Sequence, residues 1–226
     1  MTKLGLSLAL LCIISFVYSE DVPLIRQEFK DKSSNKINAQ ITAELQASYL
    51  YQAYSQYFSR ADVALPGFHK FFEEMSKEER EHAELLMDYV NKRGGELSLA
   101  DIRLQDTCNV ISEELAKQMT LGRDTACICY FMSAKREKSN TACGLRDIWF
   151  NGRMAMEDAL VLERYVNEQL LALRRDSDDD PHLCHVIEHH FLEEQVDSIK
   201  KFGDYIKQLN RAGSGLGEYL FDQKLQ

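Results

Sequence analysis

Glu78-Glu79-Arg80-Glu81-His82 interrupts a stripe in which Phe68, Phe72, Met75, Glu79, His82, Leu86 and Tyr89 recur at three- and four-residue steps. That spacing is the buried face of an amphipathic helix. Glu79 and His82 therefore point the same way, into a core. Burying an ionised carboxylate beside an imidazole is costly unless a charged group meets them. For a Glu-x-x-His pair on one helix face, the partner that does so is a metal ion.

One pair does not complete a site, so other helices must bring ligands on their own apolar stripes. Ile37, Ile41, Glu44, Ser48 and Tyr51 form one such stripe, with Glu44 and Tyr51 on the same side. Met156, Leu160, Glu163, Val166, Leu170 and Leu173 form another, and Phe191, Gln195, Ile199, Phe202, Ile206 and Leu209 a third. A polar residue at a helix border explains any one of these. It does not explain ligand-type side chains on all the stripes together. The pattern predicts an all-α protein, a four-helix bundle with a metal centre in its core.

Three carboxylates, one histidine and one amide exceed what a single open site needs. They suit two ions bridged by Glu79, with Glu44 and His82 on one ion and Glu163 and Gln195 near the other. The fourth helix carries Gln195-Val196-Asp197-Ser198 where a second Glu-x-x-His would complete the ligand set, so the second ion is expected to be held more weakly. Oxygen and nitrogen ligands fit iron, with manganese or zinc as competitors.

Asn38 to Ile41, Glu44 to Tyr49, Lys77 to Glu84, Asp180 to Cys184 and Gly215 to Asp222 resemble animal ferritin, and the resemblance covers about residues 24–103 and 148–226. It is to the catalytic heavy type, because Glu44, Tyr51, Glu78, Glu79, His82, Glu163 and Gln195 stand at the positions of the ferroxidase centre. The resemblance implies a ferritin-like bundle with a short fifth helix at the C-terminus. It further implies a twenty-four-subunit shell, homo- or hetero-oligomeric, that oxidises Fe(II) with dioxygen and stores ferric oxyhydroxide. Two iron ions per subunit would sit at Glu44, Glu79, His82, Glu163 and Gln195. Tyr51 would orient a ligand carboxylate by hydrogen bonding, and Glu78 would pass iron towards the cavity, with Glu81 and Glu84 further along. Glu73 and Glu74 are candidates to seed mineral, or simply a solvated face. Where heavy ferritins line the three-fold entry channel with an aspartate and a glutamate, this chain has His185 and Glu188, a change expected to make iron entry more sensitive to acid.

Breakers place the helices at about 31–58, from Pro66 to Lys92-Arg93-Gly94-Gly95, from around Trp149 to before Asp176, and at about 181–209. Ala212-Gly213-Ser214-Gly215 precedes the short fifth helix. Asp176 to Asp180, before Pro181, reads as a loop ending in a helix cap.

The net charge of -9 argues against a nucleic-acid partner and suits a cation-handling surface. Residues 1–19 read as a cleaved signal peptide: Lys3, an apolar run from Leu4 to Val17, then Tyr18-Ser19 before Glu20. The run is too short for a membrane span. Residues 20–226 then form one ferritin-like di-iron domain with an insertion at about 104–147. The insertion holds Cys108, Cys127, Cys129 and Cys143, which in a secreted chain read as a local disulfide framework with three possible connectivities. A zinc site is the rival reading, weakened by the lack of a Cys-x2-Cys knuckle. Cys184 is expected to be a free thiol. Signal peptide plus insertion resembles the yolk ferritins of molluscs, which implies secretion and deposition in yolk. Two alternatives stand beside the ferroxidase reading. One is an extracellular iron carrier with slow catalysis whose insertion binds a receptor; the other is a di-iron oxygenase of organic substrates.

Overall fold

The computed structural model describes residues 24–103 and 151–226. The first two helices take their expected bounds, α1 at Asp31–Phe58 and α2 at Pro66–Lys92. Proline in the first turn of α2 has no N–H to leave unsatisfied. Beyond Lys92 the chain turns at Gly94, whose φ of +69° lies in the left-handed region that glycine adopts without strain. Helix α3 spans Gly152–Arg175 and starts slightly later than the onset expected around Trp149. The reason is Asn151, whose side chain accepts from Met154 N–H at 2.9 Å and fixes the helix start.

The fourth predicted helix is a rod of three parts: α4 at Pro181–Ile187, a π-helical turn at Glu188–Leu192, and α5 at Glu193–Ala212. Asp180 caps it as expected, accepting from Leu183 N–H at 3.0 Å. The π turn has a packing reason. Leu183, Ile187, Phe191 and Gln195 are all buried and sit four residues apart, and repeated steps of four overshoot a 3.6-residue turn. A wider π turn takes up the excess and keeps the row facing inward. Helix α5 runs to Ala212, past the predicted end at 209, and α6 at Leu216–Leu225 is the short fifth helix.

Helices α1, α2, α3 and the α4–α5 rod enclose one core, and the described residues contain no strand. Aromatic rings fill one end of it. Phe58 stacks on Phe68 and Phe72 at centroid separations of 5.0 and 5.7 Å, and Tyr51 lies between Phe72 and Phe202 at 5.8 and 6.5 Å. Each such fully buried ring contributes about 1.5–3 kcal/mol.

Helix α6 docks on this end through two carboxylates at helix N-termini. Asp222, fully buried, accepts from Phe68 N–H at 2.9 Å, and Glu218 accepts from Gly152 N–H at 2.6 Å. Gly67 makes the approach possible, since a Cβ there would lie 1.9 Å from the Asp222 carbonyl oxygen. Residues 1–19 and the cysteine-rich insertion lie outside the described residues.

Candidate metal centre

Helix α2 supplies Glu79 and His82 one turn apart, and α1 supplies Glu44 from across the core. One ligand atom from each of Glu44, Glu79 and His82 lies within 4.8 Å of the others. Both glutamates are buried to 1% exposure or less, and the His82 side chain is 12% exposed. On the far side, α3 supplies Glu163 and α5 supplies Gln195, also buried. Glu163 accepts from the Tyr51 hydroxyl on one oxygen and from Gln195 Nε2, at 3.0 Å, on the other. Tyr51 thus holds one oxygen of the Glu163 carboxylate from α1.

The donor set fits a cation. Glu44 Oε2 and Gln195 Oε1 are both buried with no hydrogen-bond partner. An orphaned buried acceptor costs about 1–3 kcal/mol, and more for a charged group. These two orphans stand on opposite sides of the cluster, one among the Glu44, Glu79 and His82 group and the other beside Glu163. A divalent cation bound here would meet acceptors the protein leaves open.

The electrostatics agree. Burial, then the charge of Glu79, pushes Glu44 well above the usual carboxylate range. Burial and the neighbouring Glu163 raise Glu79 to about 7, and burial raises Glu163 to about 7 against the hydrogen bonds from Tyr51 and Gln195. Carboxyl groups packed this closely resist ionising together, and positive charge among them favours their charged forms. For His82, burial pulls the pKa down, but hydrogen bonds to Glu194 and Glu79 and the charges of Glu79 and Glu44 outweigh it and lift the ring to about 11.

Glu78 stands beside the cluster rather than in it. It is half-buried, and burial together with its contact to Glu194 raises it to about 7. Glu194 itself went unnoticed in the sequence, yet it accepts from His82 Nε2 at 3.0 Å. Gln40 was missed too, and its amide donates to Glu44 Oε1 at 2.8 Å. Position four residues before Glu44 was the available signal for Gln40. Nothing in one sequence pairs Glu194 with His82, because α2 and α5 meet only in the fold.

Glu73, Glu74, Glu81 and Glu84 are exposed on α2. His185 is exposed and its ring stacks on His189 at 5.6 Å, while Glu188 pairs with Arg174. Cys184 is a buried free thiol whose Sγ donates to the Ser177 carbonyl at 3.1 Å.

Comparison with known proteins matches the ferritin-like domain to residues 34–212. The chain is 44% identical over 220 residues to a yolk ferritin of Lymnaea stagnalis, covering 94% of this chain and 91% of that one. It is 44% identical over 201 residues to the soma ferritin of the same species, covering 88% and 93%. It is 41% identical over 203 residues to a ferritin heavy chain of Echinococcus granulosus, covering 89% and 95%.

Proposed function

Because the chain belongs to the ferritin family of iron-storage proteins, we propose that it is also a ferroxidase, oxidising Fe(II) with dioxygen at the Glu44, Glu79, His82, Glu163 and Gln195 cluster. The observation that carries this reading is the convergence of Glu44, Glu79 and His82 within 4.8 Å, flanked by two orphaned buried acceptors.

Each residue has a task. Glu44 and His82 hold one Fe(II), Glu163 and Gln195 face the second, and Glu79 bridges the two. Two ferrous ions held side by side deliver two electrons to one dioxygen, so no one-electron product escapes. Tyr51 keeps Glu163 in place. Glu78 passes ferric ions out of the cluster towards the mineral. Ferritins generally form twenty-four-subunit shells around an iron mineral, and this chain is proposed to assemble in the same way.

Secretion belongs to the same proposal. Residues 1–19 act as a signal peptide, 104–147 as a cysteine-rich insertion in one domain of residues 20–226, and yolk as a destination. The likeness to a yolk ferritin supports this. N-terminal mapping of secreted protein should start at Glu20.

The double variant Glu79→Ala/His82→Ala tests the catalytic reading. It should stay folded and lose fast Fe(II) oxidation, read as initial absorbance of ferric product after rapid mixing with oxygenated buffer. Wild-type initial rates in the folded double variant would sink the assignment.

A further inference from the structure

Glu44 is the candidate ligand whose two oxygens are treated most differently. Oε1 accepts from Gln40 Nε2 at 2.8 Å, while Oε2 is buried with no partner. Gln40 is itself 2% exposed and lies one helical turn before Glu44 on the same face of α1. A neutral amide in a core is costly unless its hydrogen bonds are made. Here the Gln40 amide makes that bond to the Glu44 carboxylate. The interlock of α1 with α2 holds both residues at fixed height: Ser48 Oγ donates to the Ser76 carbonyl at 2.7 Å and Ser76 Oγ to the Ser48 carbonyl at 2.8 Å.

We propose that Gln40 is a positioning residue of the centre, pinning Glu44 by one oxygen so that the other alone is presented to a divalent cation. The amide occupies the oxygen that would let Glu44 chelate the ion in a two-oxygen grip, so a coordination place stays open for a further ligand. Glu163 is treated in the opposite way, with both oxygens already hydrogen-bonded to Tyr51 and Gln195. The two halves of the centre therefore differ in readiness: the half at Glu44 presents an open oxygen, and the half at Glu163 shares its oxygens with protein donors.

This inference rests on the metal-centre reading, and Co(II) binding probes both without relying on Fe(II) oxidation. Full-length folded protein is titrated with Co(II), following heat and the visible absorption that reports coordination number. Gln40→Leu should weaken Co(II) at the Glu44 position about 10–100-fold, the usual effect of losing a group that orients a ligand. At saturation its visible band should lose intensity as Glu44 closes on the ion with both oxygens. In a Glu44→Ala background, Gln40→Leu should have no further effect on Co(II), since Gln40 acts through Glu44. Unchanged affinity and spectrum in folded Gln40→Leu would overturn the positioning role while leaving the centre intact. So would an equal loss in the Glu44→Ala background. Wild-type protein that binds no Co(II) would overturn both readings at once.

Discussion

Tyr51 and Gln195 grip Glu163 from different helices, and this is where single side chains govern the second half of the centre. Removing the phenol hydroxyl leaves one oxygen of Glu163 without its donor and the carboxylate free to turn. Tyr51→Phe should therefore weaken the second divalent ion about 10–100-fold and leave the first alone. Calorimetric titration with Zn(II) separates the two classes; equal weakening of both would contradict the division of labour. Glu44, Glu79, His82, Glu163 and Gln195 were legible as candidates because each breaks an apolar stripe. Gln40 and Glu194 were not. Gln40 reads as an ordinary polar residue inside α1, and Glu194 is marked only by its contact with His82 across two helices.

Among the elements, the α4–α5 rod departs most from a simple reading. Its stripe as read from sequence begins only at Phe191, and the π turn at Glu188–Leu192 that keeps Leu183 and Ile187 in the same buried row emerges only when the row has a core to face. Its start is governed by Asp180, which caps Leu183 N–H and meets Arg93 at 2.8 Å. Burial would raise the Asp180 pKa, but hydrogen bonds from Arg93 and Leu183 N–H and the Arg93 charge outweigh it and hold the carboxyl below its usual range. A depressed carboxylate stabilises the fold fully above its unfolded pKa and loses that contribution as pH falls through its folded value. Asp180→Ala should thus cost about 0.5–2 kcal/mol near neutrality, as for other lost caps. The difference from wild type should shrink below about pH 4, where the unfolded carboxyl titrates. Denaturant unfolding of both proteins across that range measures it, and a constant difference down to pH 2 would argue that the carboxylate charge is irrelevant.

For the molecule as a whole, the proposed function adds a signal peptide and an insertion to the bundle. Under that proposal, cysteine clustering at Cys108, Cys127, Cys129 and Cys143 predicts two intrachain disulfides within residues 108–143, each well-formed bridge adding about 2–4 kcal/mol locally. Peptide mapping of secreted protein without reductant checks this; four free thiols, or one zinc per chain, would refute it. Helix periodicity is local, so the described residues read as helical from the pattern alone, with the bounds of α1 and α2 and with polar side chains standing out on apolar stripes. Packing of the helices supplied the rest. It made Glu44 and Glu163 unequal, through Gln40 on one and Tyr51 with Gln195 on the other. It set Glu194 against His82 and seated Asp222 on the N-terminus of α2. Except for Gln40, whose bond to Glu44 depends on how the core turns both side chains, these contacts join residues far apart in the chain. Their partners are chosen by the packing of helices, which no local pattern encodes.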